Sequence, residues 1–334
     1  MIRMNRLIFF FILINQFILA QNDVCFEIEL NPNIDDPAFQ CFSKYVNVLD
    51  CFSVYAESNI PDNKVLHVAA IAAQLLDNNE DGIVDDENIY SQLQFQEALM
   101  PIFTFDGNAC MENFINYYDG DGVSAVLWRN EIDPNQPGHW GSDATVEEVL
   151  HTINHVGHVY LYPEAFSIAP NSSILSEAMD IARGGQFLNV PNSYPDEAWY
   201  HYDDWTCDYE CQAIEYFYWS IVSYMGILDD PQTCSGIYNE WELCTPDLFE
   251  NTDILMHSLI TNVQYKLPLI PPDANYCPSN NDGDLNSDGI INILDVIIVV
   301  NLILNMEYDD LADLNYDNSI DVLDIVLIVN MILN

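Results

Sequence analysis

The sequence predicts an α+β protein: a large helix-rich domain followed by a small all-α module of two calcium loop–helix units. Three observations carry this. Segments of helical period outnumber alternating ones through residue 266. A proline-rich stretch then interrupts the pattern. Beyond it the chain repeats itself, each time as an oxygen-rich loop followed by an apolar helix. Half of the 334 residues are apolar and 12% are aromatic, enough to build a full core.

Charge narrows the function classes before any motif is read. Seven Lys and Arg stand against 53 Asp and Glu, a formal net charge of −46. Nucleic acid and anionic lipid surfaces are repelled by such a chain, and cations are its natural partners. Arg3 and Arg6 precede an apolar run from Leu7 to Leu19, and Ala20 suits a cleavage site, so residues 1–20 read as a secretory signal peptide. Its removal leaves Lys44, Lys64, Arg129, Arg183 and Lys266 as the basic residues. No later apolar run reaches the ~18 residues a membrane anchor needs. Secretion makes disulfides the default for the nine cysteines, and an odd count leaves one thiol over. Cys207 and Cys211, one helical turn apart, are poorly placed to bond each other within a helix. Cys234 and Cys244 are the expected mates in a nested pairing.

Within the large domain, 21–266, Asn63 to Leu76 reads as a helix rich in small and apolar residues. It runs into an EF-hand-like loop, 77–88. Calcium takes six to eight oxygens, and such a loop delivers them from alternate positions. Here those are Asp77, Asn79, Asp81, the Ile83 carbonyl and Asp85, with Gly82 at the sharp turn and Asn88 at position 12. Leu99 to Phe105 and Val123 to Trp128 read as short strands. Thr145 to Tyr160 reads as a helix, with Asp143 or Ser142 as N-cap and Glu147 and Glu148 in its first turn. A helix from Ser173 to Ala182 stops at Gly184-Gly185. Ala213 to Met225 is another. The Tyr- and Trp-rich stretch 194–224 reads as core rather than as a sugar platform. Tyr200, His201, Tyr202, Asp203 and Asp204 form a polar-aromatic cluster within it.

The 145–160 helix carries the most suggestive chemistry. His151, His155 and His158 fall at i, i+4 and i+7, within about 60° of one another on a helix. An i, i+4 imidazole pair is a two-point zinc grip. His151 and His158 lie about 10 Å apart along the axis, too far for one ion to hold all three easily. The segment Ser176 to Asp180 is helical and about 20 residues on, so Glu177 is the candidate third ligand, with His158 an alternative.

Leu267 to Gly283 holds four prolines and reads as a linker. Residues 284–305 and 313–334 then match at 12 of 22 positions. The first loop offers Asp284, Asn286, Asp288, the Ile290 carbonyl, Asn292 and Asp295 to calcium. The second offers Asp313, Asn315, Asp317, the Ser319 carbonyl, Asp321 and Asp324.

Two loops of this kind, each with Asp at position 12, closely resemble a type I dockerin, a calcium-folded module that plugs its carrier into a cohesin domain. The resemblance spans 284–334 and implies two calcium ions and a cohesin-like protein partner. It places the recognition pairs at loop positions 10 and 11, Ile293-Leu294 and Val322-Leu323, apolar where well-known dockerins often carry hydroxyls. The large domain faintly resembles the gluzincin metallopeptidases over about 40 residues, which implies a zincin-like fold, His151, His155 and Glu177 as zinc ligands and Asp180 as a supporting carboxylate. Thr152 stands where those enzymes carry the general-base Glu, and Glu148, one turn earlier, is the candidate catalytic substitute. No nucleophile elbow, phosphate loop or dinucleotide fingerprint is present. The whole reads as a secreted calcium-binding protein that docks to a cohesin-like partner and carries a metal-dependent hydrolase. The alternatives are a zinc metallopeptidase-like enzyme or inactive relative and, since dockerins ride on such enzymes, a polysaccharide-degrading component.

Overall fold

The computed structural model describes residues 26–278, 283, 285–286, 291–315 and 319–333. The signal peptide, Cys25, Asp284, Asp288, Ile290 and Asp317 lie outside the described residues.

The protein is mixed α+β and helix-rich, as its sequence pattern predicts. A four-stranded sheet runs in the order β1 (Phe42–Val48), β2 (Phe52–Glu57), β3 (Leu99–Phe103) and β4 (Leu127–Trp128). β1 and β2 form an antiparallel hairpin, with Tyr45 opposite Tyr55. Its turn places Leu49 and Asp50 at φ 49° and 56°, the left-handed pair that matches strand twist. The sequence reading missed this hairpin. Its alternation is weak because both faces are covered, β1 and β2 against a helix on one side and an aromatic cluster on the other.

β3 joins β2 in parallel through a helical crossover, α1 (Asp62–Leu76) and α2 (Glu87–Phe95). α1 packs on β1 and β2, and its run of buried Ala69, Ala70, Ala72 and Ala73 lets it lie close to them. Every residue of β3 is buried. Met100 and Ile102 face the main core, while Leu99 and Phe103 face a second cluster with Phe39, Phe42, Tyr55 and Phe114. Phe114 belongs to α3 (Ala109–Tyr117), which is stapled to the segment before β1 by the Cys41–Cys110 disulfide. Of the strand expected over 123–128, only the last two residues pair.

The single helix expected from Thr145 is three pieces: α4 (Thr145–Ile153), a π-helical turn (Asn154–His158) and α5 (Val159–Leu161). The Val159 N–H reaches back five residues to the Asn154 carbonyl. Neither expected side chain caps α4. Ala144 sits at the N-cap, and Asp143 instead binds Thr145 Oγ1 at 2.6 Å and His67 Nε2 at 2.8 Å. Gly157 lets the π turn close on α2: a Cβ there would stand 3.3 Å from Ile89 Cδ1.

α6 (Pro163–Phe166) leads to α7 (Ile174–Ala182), capped by Ser173 and stopped before Gly184 at φ +69°. α8 (Tyr209–Met225) is the central aromatic helix, with Tyr216, Phe217 and Trp219 in the core. α9 (Pro231–Ile237), α10 (Pro246–Thr252) and α11 (Ile254–Ile260) finish this body.

The nested cysteine pairing is overturned. Cys207 bonds Cys211 and Cys234 bonds Cys244. α8 begins only at Tyr209, so Cys207 lies outside the helix, and the bend at the Asp208 N-cap brings the two Cα atoms to 5.4 Å. Cys277 is also disulfide-bonded, and Cys51 is the buried free thiol. These bonds fit an oxidising compartment.

The stretch expected to be a linker is not loose along its first half. The side-chain oxygen of Asn78 accepts the N–H groups of Leu269 and Ile270, Gln74 Oε1 accepts that of Ala274, and Tyr276 is buried against Phe26. The amides at the end of α1 supply the partners that proline-rich backbone cannot find in a ladder. Beyond it, α12 (Ile293–Asn305) and α13 (Val322–Leu333) pack on each other around Val296, Val299, Ala312, Leu314 and Ile328. No helix among the described residues is long and apolar enough to cross a membrane.

Candidate metal centre

His151 is the hinge of the site. It sits on the last α-helical turn before the π segment and is buried, with its ring edge-on to Tyr218. Its two nitrogens have different partners. Nδ1 bonds Glu148 Oε2 at 3.4 Å, one turn back on α4. Nε2 lies 3.4 Å from Glu215 Oε2 on α8, but without hydrogen-bond geometry, and it has no other partner. Glu147 completes the set: ligand atoms of Glu147, His151 and Glu215 all lie within 4.8 Å of one another. Among the described residues no other group of three or more His, Cys, Asp and Glu side chains meets that distance.

The distance across His151 and Glu215 is informative. An N–H···O contact with a carboxylate closes to about 2.7–2.9 Å. Two ligands on a tetrahedral zinc, with metal–ligand bonds of about 2.0–2.2 Å, stand roughly 3.3–3.5 Å apart. The observed 3.4 Å leaves room for an ion between the two groups, although the Glu148 contact at Nδ1 has the same length.

The electrostatics point the same way. Burial, then the neighbouring Glu215 and Glu148, push the Glu147 carboxyl up to about 8, against the pull of His151. Burial alone would lower the His151 imidazole, but Glu215 and Glu148 override it and hold it well above its ordinary value. Burial, Asp203 and Glu215 raise Glu240 to about 7. Burial and the Glu215 charge likewise raise the Tyr202 hydroxyl. Acidic groups are thus crowded at one imidazole. Among the described residues no Lys or Arg lines either adjoining cavity.

One of these cavities, about 340 Å³, is lined by Glu148, His151, His155, Glu210 and Glu215. His155 therefore shares the space with His151 but stands outside the ligand trio, and burial lowers its pKa. His158 is turned away. The π turn carries its ring into the core, 5.7 Å from Phe166 and 6.2 Å from Phe217, where burial pushes it down to about 4. The expected three-histidine face therefore does not form, because the extra residue per π turn breaks the i, i+4, i+7 register. Glu177 is exposed and lines a different cavity with Asp180 and Ser173. Asp180 is occupied by Arg183 at 2.8 Å and by the Tyr209 hydroxyl. The His151/His155/Glu177 trio is thus not assembled, and Glu148 lines the cavity in contact with His151 Nδ1.

Sequence reasoning missed Glu215, 64 positions beyond His151. A signal was present. Glu215 is a charge set among Ile214, Tyr216, Phe217 and Tyr218 on a buried helix, and such a charge needs a partner.

The loop at 77–85 holds itself together through its side chains. Asp77 is buried and accepts from Gly82 N at 2.7 Å and from the Tyr276 hydroxyl at 2.6 Å, while Asp81 accepts from Ile83 N and Asp85 from Asn78 N. Burial raises the carboxyls of Asp77 and Asp85. Asn79 is exposed, and Asn88 Nδ2 bonds Asp86, which caps α2. In the C-terminal segment the two position-12 carboxylates, Asp295 and Asp324, are fully buried. Each accepts a backbone N–H from the start of its own loop, Asn286 or Leu314, and another from position 9, Asn292 or Asp321. Asp313 accepts from the Tyr308 hydroxyl.

No family model matches this chain, and neither a curated protein nor a solved structure does.

Proposed function

We propose that the large body is a zinc-dependent hydrolase, with Glu147, His151 and Glu215 as the metal ligands. The observation that carries this is the convergence of Glu147, His151 and Glu215, whose ligand atoms lie within 4.8 Å of one another, with the His151 Nε2 buried and outside hydrogen-bond geometry. A histidine with two carboxylates suits zinc and leaves a fourth position for water or substrate. Zinc held there supplies a Lewis acid. Glu148 meets Nδ1, the usual place of support for a metal-binding histidine, and zinc at Nε2 would replace the proton that the carboxylates otherwise favour on the ring. The cavity lined by His155 and Glu210 admits substrate. The competing reading is a purely structural Glu–imidazolium–Glu cluster. Metal analysis of the full secreted chain, dialysed against trace zinc, separates the two. One zinc per chain, lost in His151→Ala and in Glu215→Ala, supports the centre. No zinc in folded wild-type protein refutes it.

A second reading concerns the C-terminal segment, for which a specific observation speaks. Ile293, Leu294, Val322 and Leu323 are 63%, 52%, 65% and 53% exposed. Apolar residues at matching positions of two repeats, turned outward together, suit a protein partner. In this reading the segment binds two calcium ions and docks to a cohesin-like domain, and 77–85 holds a third ion. Calorimetric titration of calcium into the chelated chain tests it; fewer than two sites would refute the pair.

A further inference from the structure

The aromatic stretch 194–224 is core at Tyr200, Tyr216, Phe217 and Trp219, but Trp205 is 83% exposed. Its loop is fixed rather than slack. The Asp204 carboxylate accepts the Thr206 N–H at 2.9 Å and its hydroxyl at 2.7 Å. Two residues after the indole, Cys207 is buried and tied to α8 by its disulfide. A large flat apolar ring is therefore presented to water on a pre-set turn, where little ordering cost remains on binding.

Trp205 forms one wall of a cavity of about 580 Å³, within the range of ligand sites. Tyr194 also lines it. Its hydroxyl is engaged with the Tyr202 carbonyl and its ring rests on His201, so it offers an apolar surface. Asn192, Asp203 and Asn239 line the same cavity. Asn239 Nδ2 donates to Asp203 Oδ2 at 3.3 Å, which sets a carboxylate and an amide side by side with capacity left on both.

This combination selects a ligand class. Anions meet Asp196 and Asp203 and are repelled. An ammonium or guanidinium group uses acceptors only and leaves the amide donors idle. A hydroxyl both donates and accepts, so paired hydroxyls match the Asp203–Asn239 pair, while an apolar C–H face lies on the indole. We infer that this cavity is a binding site for a neutral saccharide, separate from the His151 centre and independent of whether that centre holds zinc.

Affinity gel electrophoresis of the full chain tests this. The gels carry laminarin, arabinoxylan, galactomannan or hydroxyethylcellulose, with alginate as the polyanion control and oligolysine titrated separately by tryptophan fluorescence. At least one neutral polysaccharide is expected to retard the wild-type chain, and alginate is not. Trp205→Ala weakens that binding roughly tenfold or more. The melting temperature stays put, since an exposed ring carries no core packing. The inference is overturned by no retardation in any neutral gel, by equal retardation of Trp205→Ala, or by Trp205-dependent binding of oligolysine alone.

Discussion

Removing the Glu148 carboxylate tests the metal centre most sharply, because it separates orienting a ligand from being one. Glu148 meets His151 Nδ1 at 3.4 Å, while Nε2 faces Glu215. Loss of such an outer partner typically lowers metal affinity by about 10–100-fold. The contact is long for a charge-assisted bond, so the low end applies: about tenfold, or about 1.4 kcal/mol. His151→Ala removes a ligand outright and costs far more. Glu177→Ala alters an exposed carboxylate in another cavity and leaves affinity within about twofold. A chromogenic chelator competing for zinc measures all three on one scale. The reasoning fails if Glu148→Ala matches wild type, or if Glu177→Ala weakens zinc as much as His151→Ala does.

Other expectations follow from the same coordinates. Asp143 is buried and bound to His67 at 2.8 Å; burial raises its carboxyl, but the His67 contact and its other hydrogen bonds outweigh this and leave it below its ordinary value of 3.8. A depressed carboxyl stabilises above its unfolded value and loses that contribution as pH falls through the folded one. Asp143→Asn therefore costs about 1–3 kcal/mol at pH 7 by urea denaturation, because its buried donors lose an acceptor, and the gap to wild type narrows only below about pH 4. A gap that already closes at pH 6 would contradict the assignment. Asp324→Ala empties one of two matched loops, so the calcium-induced rise in melting temperature of the C-terminal segment should fall by about half; an unchanged rise would rule out calcium in that loop. Burial, then Asp50, pushes the Cys51 thiol up to about 12. Iodoacetamide at pH 8 should label it only after unfolding, and rapid labelling of the native chain would count against its buried, protonated state.

What the sequence revealed depended on how local each cause was. The helix from Asp62 to Leu76 and the stop before Gly184 were legible, because apolar spacing and a left-handed glycine act within a few residues. The repeat at 284–334 was legible for the same reason. The π turn was not. It rests on Gly157 meeting Ile89 and Leu93 from another helix, a tertiary cause with no local mark. That one unseen turn undid the three-histidine face and sent His158 into the core. Glu215 and Trp205 were both hidden inside one aromatic run, where a charge and an exposed indole were averaged away with their buried neighbours.

The scarcity of basic residues explains why so much of the chemistry falls to carboxylates. Lys44 holds the Ile60 carbonyl and Asp62, Lys64 the carbonyls of Arg129 and Ile132, and Lys266 that of Asp85. Arg183 is buried and bound to Asp180, Gln212 and the Phe187 carbonyl. Four of the five basic residues beyond position 20 are thus committed to pinning backbone and loops. None of the four lines the cavity beside His151. Crowded carboxylates there must either keep protons, the direction in which burial pushes Glu147, or share a divalent cation. The same shortage bounds the substrate. A phosphate or a uronic acid entering past Glu148, Glu210 and Glu215 finds no guanidinium or ammonium on those walls, so the proposed centre favours neutral or cationic groups.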